Sequence, residues 1–286
     1  MNDRELLDTI RDLVGTKETA DDCCAYPIGG GMLLVASTDM LHETTDFPQQ
    51  MTEYQKGWMS VAVSLSDVAS SGAQPTCVLV AVGLDRPERL RPFMEGACAC
   101  AKTYGASVVG GDIDAHQELT AVTTAYGVVS ESVYCSRSGA KPGDLVAVTG
   151  ILGRAQAALD GHTGYNEFLF TPKPEVRRGV ALAAMGATAM MDVSDGLSLS
   201  LWDLSAASSV AIAIDSAALP LMDASDYAMQ CGIYGGGDFG LLLTIPPSCR
   251  VQAEECGCRV IGRVSAGSGV TLDGKPLEKR GFLHNW

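Results

Sequence analysis

Met190-Met191-Asp192-Val193-Ser194-Asp195-Gly196-Leu197 places two carboxylates three residues apart, with a hydroxyl between them and a glycine directly after. An apolar run precedes this stretch, and Leu197, Leu201 and Leu204 follow at helical spacing. The pattern predicts a strand, a sharp turn and a helix, with Ser194 or Asp195 as the helix cap, and so an α/β fold. Acids crowded in this way repel one another unless a cation neutralises them, which points to a metal site. Similar acid-bearing patches stand at Asp21-Asp22, Ser37-Thr38-Asp39, Ser66-Asp67, Gly110-Gly111-Asp112 and Gly236-Gly237-Asp238, most of them beside a hydrophobic segment. Together they predict one divalent-metal and phosphate site gathered from the whole chain.

The chain has 286 residues, of which 47% are hydrophobic and 6% aromatic, enough for a sizeable core and for two ordinary domains. Its formal charge of −14 argues against nucleic acid or an anionic membrane as partner, since both require clustered Lys and Arg. There are ten cysteines but no CxxC pair, and Met1-Asn2-Asp3-Arg4-Glu5 begins an acidic amphipathic helix rather than a secretory signal. Most of the thiols read as small buried hydrophobes in a reducing cytoplasm. The longest mostly apolar run, Gly179 to Met191, is shorter than the ~20 residues a membrane helix requires.

Along the chain, Leu6, Leu7, Ile10 and Leu13 predict a packing helix that Gly15 ends. Met32 to Ala36 predicts a buried strand ending at Ser37-Thr38-Asp39, followed by a polar loop to Pro48 that can fold over a ligand. From Tyr54 to Gly72, Trp58, Val61, Leu65 and Val68 form one helical stripe and Ser60, Ser64 and Asp67 another. Read alone, Asp67 is a solvated helix carboxylate more readily than a metal ligand. Ser107-Val108-Val109 predicts a short strand ending at Gly110-Gly111-Asp112, where glycine lets a phosphate approach the backbone. The Gly, Pro and Ser content of Cys135 to Asp144 marks a connector, and Arg137 within it reads either as a linker charge or as a bidentate phosphate donor.

Several familiar signals fail. Gly235-x-Gly237-x-x-Gly240 matches the dinucleotide fingerprint, but the strand-like Leu241-Leu242-Leu243-Thr244-Ile245 follows where that motif needs a helix. No P-loop or GxSxG elbow is present, and His42, His116, His162 and His284 lack zinc spacing. Many aspartates with almost no candidate nucleophile fit a reaction driven by positioning and electrostatics, as phosphoryl transfer is.

The ordered blocks Asp21-Asp22, Ser37-Thr38-Asp39-Met40-Leu41, Gly57-Trp58 through Ser66-Asp67, Val109-Gly110-Gly111-Asp112, Arg137 to Asp144 and Asp192 to Leu197 resemble the thiamine-monophosphate kinase family, in the aminoimidazole ribonucleotide synthetase superfamily. The resemblance covers nearly the whole chain, and the form of Ser37 to Pro48 looks archaeal. It implies an α/β (α+β) two-domain synthetase-like fold. Residues 1-136 would form an ATP- and Mg-binding domain whose mixed sheet pairs across a homodimer, and residues 137-286 a C-terminal α/β domain. It implies transfer of the ATP γ-phosphoryl to thiamine monophosphate, with several Mg²⁺ ions. Asp22, Ser37, Thr38, Asp39, Asp67, Asp112, Asp192 and Asp195 correspond to the metal set, with Asp39, Asp112 and Asp195 at the reaction centre. Tyr104, Gly111, Asp112, Arg137 and Ser194 correspond to nucleotide contacts, and Asp46, Gly237 and Phe282 to the thiamine side.

Three departures lie on that thiamine side. Asp46 stands where the family commonly has histidine. The family's Gly-Gly-Glu-Asp-Tyr-Glu-Leu-Leu block reads Gly235-Gly236-Gly237-Asp238-Phe239-Gly240-Leu241-Leu242, with both glutamates replaced by glycine. Phe282 stands where an aromatic residue usually stacks on the substrate. The alternatives are another ATP-using member of the superfamily with a different acceptor, and a non-catalytic nucleotide-binding regulator.

Overall fold

In the computed structural model, which describes residues 2–16 and 19–284, two β-sheets with helices packed against them form a mixed α/β protein. The first half contains α1 (Asp3–Val14), β1 (Cys24–Gly29), β2 (Met32–His42), α2 (Glu53–Ser70), β3 (Gln74–Leu84), α3 (Leu90–Thr103), β4 (Ser107–Ala115) and β5 (Thr120–Ser130). Its five-stranded sheet has the order β1-β2-β5-β3-β4, antiparallel except for the parallel β3–β4 pair. The second half contains β6 (Leu145–Thr149), α4 (Arg154–Leu159), α5 (Asn166–Phe170), α6 (Val176–Met185), β7 (Ala189–Val193), α7 (Leu197–Ser208) and β8 (Val210–Ile214). It continues with α8 (Asp226–Tyr234), β9 (Gly240–Ile245), α9 (Arg250–Glu255), β10 (Cys258–Ala266), β11 (Gly269–Leu272) and β12 (Lys275–Pro276). These strands form a seven-stranded sheet of order β12-β11-β8-β10-β6-β9-β7, in which only β8 and β11 run parallel.

α2 lies at the centre of the molecule. It starts with a capping box in which Thr52 accepts from the Gln55 amide and the Gln55 side chain accepts from the Thr52 amide. Residues on all sides of this helix are buried, including Ser60, Ser64, Ser66 and Ser70. One side packs on β2, β3 and β5, another on α3, and the last turns reach β7 and α6 of the second half. Small residues permit these approaches. A Cβ on Gly57 would lie 1.9 Å from the Phe93 carbonyl oxygen, and one on Gly96 would lie 1.8 Å from that of Tyr54.

Four local expectations require correction. Asp39 and Asp112 do not end strands: β2 continues to His42, and β4 runs through its glycines to Ala115 because β3 pairs with it along its length. Asp67 does not sit on a solvated helix face, because α2 has no such face along its last turns. Neither Ser194 nor Asp195 caps α7: Gly196 is the cap, without a side-chain hydrogen bond, at φ +107° where a Cβ would press on the Tyr234 carbonyl. Finally, α1 does not bury its apolar stripe, and Leu7, Ile10 and Leu13 are exposed to 36%, 46% and 83%.

Candidate active site

The site is built where the last turns of α2 meet β2 on one side and β7 on the other. Side chains alternate along β2, so Ser37 and Asp39 face α2 while Thr38 points to the outer face and meets Thr124 at 2.9 Å. On α2, Ser64 donates to Asp39 at 2.7 Å, and Ser66 donates to Asp192 on β7 at 2.6 Å. Ser37 donates in turn to Asp67 at 2.5 Å. The bend before β1 brings in Asp22, which takes an ion pair from Arg137 and a hydrogen bond from Ser70 at 3.3 Å. Asp21 accepts from the Arg137 amide and from the Tyr134 hydroxyl.

The carboxylate oxygens of Asp22, Asp67 and Asp192 lie within 4.8 Å of one another. Three acids this close repel one another strongly unless a counter-charge stands among them. Burial first, then Asp39 and Asp192, pushes Asp67 well above the usual carboxylate range. Burial and the nearby Asp22 do the same to Asp192. Burial raises Asp39 to about 6 against the opposing hydrogen bond from Ser64. An all-oxygen donor set of this charge suits a hard divalent cation such as Mg²⁺ or Ca²⁺, and nothing soft is among the ligating atoms. Arg137 stands beside the cluster, paired with Asp22 and with its Nε 3.9 Å from Asp21; that buried Nε makes no hydrogen bond among the described residues.

The turn after β7 is held by its own carbonyls. Val193, Ser194 and Asp195 accept hydrogen bonds from the amides of Phe239, Gly237 and Phe282, at 3.0, 2.7 and 3.0 Å. Gly237 and Phe282 are thereby brought to the Asp195 turn from distant parts of the chain. A Cβ on Gly236 would lie 2.6 Å from the Ser194 oxygen, and one on Gly281 would lie 2.2 Å from that of Asp195, so both approaches depend on glycine. Phe282 packs edge-on against His284, with ring centroids 5.0 Å apart.

Other sequence-predicted residues lie apart from the carboxylate group. Asp112 occupies the row of the sheet that runs through Ala81 and Val122 to Met40, whereas Asp39 is in the row of Gly111. The pleat therefore directs Asp112 to the face opposite Asp39, and the three strand spacings between β4 and β2 amount to about 14 Å. Its carboxylate is exposed and accepts from the Ile113 amide. Asp238 turns away to accept from the Gly153 and Ala155 amides at the start of α4. Tyr104 follows α3, edge-on to Trp58 with centroids 6.5 Å apart. Asp46 accepts from the His42 amide at 2.7 Å and from Thr45 at 2.8 Å, folding the loop after β2 onto itself.

That loop lines a cavity of about 360 Å³ with Phe47, Pro48, Leu159, Asn166 and Phe170. A smaller cavity of about 130 Å³ is lined by Thr149, Arg154, Lys173 and Glu175. Two residues at the site escaped sequence reading. Arg4 of α1 grips Asp203 of α7 and comes within 3.5 Å of the Asp195 carboxylate. No local pattern signals a pairing across 199 residues.

Comparison with known proteins agrees with this architecture. Residues 20–129 match the family model described as AIR synthase related protein, N-terminal domain, so the class is an α/β protein that carries an AIR synthase-related domain in its first half, with clustered carboxylates. Thiamine-monophosphate kinase of Methanospirillum hungatei JF-1 is 47% identical over 288 residues, covering 100% of both chains. That of Halobacterium salinarum is 42% identical over 299 residues, covering 99% of this chain and 100% of the other. The solved structure of AaThiL complexed with AMPPCP and TMP superposes with a TM-score of 0.91 at 26% identity, covering 99% of this chain and 97% of that one. The chain belongs to the thiamine-monophosphate kinase family.

Proposed function

We propose that this protein transfers the γ-phosphoryl group of ATP to the phosphate of thiamine monophosphate, giving thiamine diphosphate and ADP. The observation that carries the reading is full-length correspondence to kinases of that name, in a chain whose fold gathers Asp22, Asp67 and Asp192 within 4.8 Å. The acceptor is already an ionised phosphate, so no general base is needed and the work is positioning and charge neutralisation.

Asp22, Asp39, Asp67 and Asp192, with Asp195 at the edge, are the residues to hold Mg²⁺. When bound, it offsets the charge of the phosphates and polarises the transferred group. Ser37, Ser64 and Ser66 hold three of these carboxylates in fixed directions through their hydroxyls. The Arg137 guanidinium, held beside the acids by Asp21 and Asp22, is the residue to bind a phosphate oxygen of the nucleotide. Ser194 belongs to the turn that nucleotide would meet. The cavity of about 360 Å³ beside Asp46 falls in the range of small-molecule sites, whereas one of about 130 Å³ is too small for thiamine. Phe282, 45% exposed beside the Asp195 turn, offers a ring face to the substrate.

A homodimer completes this reading. The first sheet leaves Tyr26, Ile28, Met40, Val109 and Ile113 exposed, an apolar surface that a second copy would cover, with β1 and β4 as open edges. In that assembly Asp112, Gly111 and Tyr104, which a single chain holds apart from the carboxylate group, would take up their nucleotide role near the interface. We also take residues 1-136 and 137-286 as the two domains, and the cytoplasm as the compartment, in keeping with ten free thiols. Among the described residues no helix is long and apolar enough to cross a membrane.

The test is incubation with ATP, Mg²⁺ and thiamine monophosphate, followed by chromatography for thiamine diphosphate. Turnover of a different phosphate acceptor in place of thiamine monophosphate would sink the substrate assignment. Nucleotide binding without any transfer would favour a regulator, in which Gly237 and Gly240 have removed the substrate end.

A further inference from the structure

The cavity of about 130 Å³ is lined by a guanidinium, that of Arg154, which the transfer reaction leaves unused. Among the described residues the Arg154 side chain makes no hydrogen bond and no ion pair, and its Nε is wholly buried. Its plane lies over the Phe168 ring, 3.7 Å from the centroid, which fixes the group and leaves its N–H edges unspent. Burial lowers Arg154 from the usual arginine range, and the acids around it, Asp238 and Glu175 foremost, do not make up that loss. Each of these acids is engaged elsewhere. Asp238 accepts from the Gly153 and Ala155 amides at 2.5 and 3.0 Å, Glu175 accepts from Arg178 at 2.5 Å, and Glu167 pairs with Lys173.

We propose that this cavity binds a single phosphate group, with Arg154 as its principal donor and Lys173 as the second charge. Two cations lining one space match a dianion better than a carboxylate. Lys173 is 63% exposed and its partner Glu167 62%, so their pair is weak and the ammonium can turn inward. Thr149 accepts from the Leu241 amide at 2.8 Å and keeps its own hydroxyl proton to donate. The volume corresponds to roughly four waters at ~30 Å³ each, room for one tetrahedral oxyanion and its nearest waters. The site stands apart from the acid cluster: β6, which ends at Thr149, is separated from β7 by β9, two strand spacings or about 10 Å. The Trp58 indole of α2 donates to the Pro172 carbonyl at 2.9 Å and so holds the segment that brings Lys173 to the cavity. A phosphate ester of the substrate and free inorganic phosphate present the same group, and only the first source rests on the kinase reading.

Equilibrium dialysis of the full chain against labelled inorganic phosphate, in EDTA and without nucleotide, separates this site from any phosphate held by metal. Wild type should bind saturably. Arg154→Gln should weaken binding about tenfold, the loss expected for a charge-assisted hydrogen bond, and Lys173→Gln about threefold. Glu175→Gln should tighten it, because a carboxylate facing the anion has gone. Arg177→Gln, at an exposed position of α6 outside the cavity, should leave it unchanged. Unlabelled competitors then distinguish the sources. Displacement by thiamine monophosphate but not by thiamine assigns the site to the substrate's phosphate, and displacement by neither assigns it to free phosphate; displacement by thiamine itself would put a ring in the cavity and overturn the phosphate assignment.

Absence of saturable phosphate binding in the wild type, or wild-type affinity in Arg154→Gln, would overturn the inference. If Arg154→Gln does not fold, the opposite shifts of Lys173→Gln and Glu175→Gln carry the comparison, and wild-type affinity in both would overturn it. Phosphate bound as expected with no thiamine diphosphate formed from ATP would sink the kinase reading alone, while turnover without phosphate binding in EDTA would sink this site alone.

Discussion

The Ser66 hydroxyl on α2 donates to the Asp192 carboxylate on β7 at 2.6 Å, joining residues 126 positions apart at the boundary of the two sheets. Both groups are buried, so the bond is shielded from water. It serves two ends: it attaches the central helix to the second half of the chain, and it aims one carboxylate of the acid cluster.

Ser66→Ala removes the donor and leaves Asp192 without that compensation. Metal-free stability should fall by about 1–3 kcal/mol, the cost of leaving a buried carboxyl oxygen without its hydrogen bond. Urea unfolding in EDTA at neutral pH measures it. The same comparison with 10-fold rising Mg²⁺ should show a weaker protective effect in the variant, because the misaimed carboxylate holds the ion less well.

The acid cluster gives the metal-free protein an inverted pH response. Asp39, Asp67 and Asp192 are all raised above their unfolded value, so the folded state binds more protons than the unfolded state between them. Stability then falls as pH rises through that window. With Asp39 at about 6, the thermal midpoint in EDTA should increase when pH drops from 7.5 to 5.5. Glu43 does not oppose this, because its pairing with Arg89 lowers it to about 2 and its contribution is lost only in stronger acid. Mg²⁺ should raise the midpoint at pH 7.5 and much less at pH 5.5, where protons occupy its site. A midpoint that falls on acidification in EDTA would contradict the convergence of these acids.

Asp192→Asn tests the same repulsion by mutation. The amide keeps an acceptor for Ser66 but removes a charge, so metal-free stability should rise by about 1–2 kcal/mol while Mg²⁺ protection and turnover collapse. Calorimetry with and without Mg²⁺ reads the first effect, and the thiamine diphosphate assay reads the second.

Gly57→Ala should be among the most damaging single-methyl additions. Its Cβ would meet the Phe93 carbonyl at 1.9 Å, and both partners are helix backbone, so α2 and α3 must part. The cost should be about 3 kcal/mol, at the upper end for overpacking, read as a lower urea midpoint with an unchanged slope.

Glu43 ties the loop after β2 to the core. It accepts from Lys56 at 2.7 Å and from both terminal nitrogens of Arg89, which is 6% exposed. Glu43→Gln takes one carboxylate from two buried cations, leaving Lys56 with Glu53 and Arg89 with Glu53 and Asp85, and after discounting for the partial exposure of Glu43 it should cost about 1–2 kcal/mol. Because the same loop lines the proposed thiamine cavity, KM for thiamine monophosphate should rise more than KM for ATP, which steady-state kinetics separates.

Much of the site was legible in the residues alone. Crowded aspartates beside glycines and hydroxyls are a local chemical signature, and Asp22, Asp39, Asp67 and Asp192 meet around α2 as that signature implies. Element type was also legible for most strands and long helices, because apolar periodicity is a property of neighbouring residues. Where the elements end was less so: β2 and β4 run on past their aspartates because partner strands supply hydrogen bonds that no single segment shows.

Tertiary structure alone decided which acids face one another. The pleat turns Asp39 inward and Asp112 outward although both follow a short apolar run, and α4 claims Asp238 through its backbone amides. It alone decided that Arg4 meets Asp203, since nothing near either residue in the chain encodes the other. The sequence by itself determined the kind of chemistry, because residue type sets donor, charge and ligand preference. The fold determined its membership, because only three-dimensional packing sets distance, and the energy of one charge near another depends on distance.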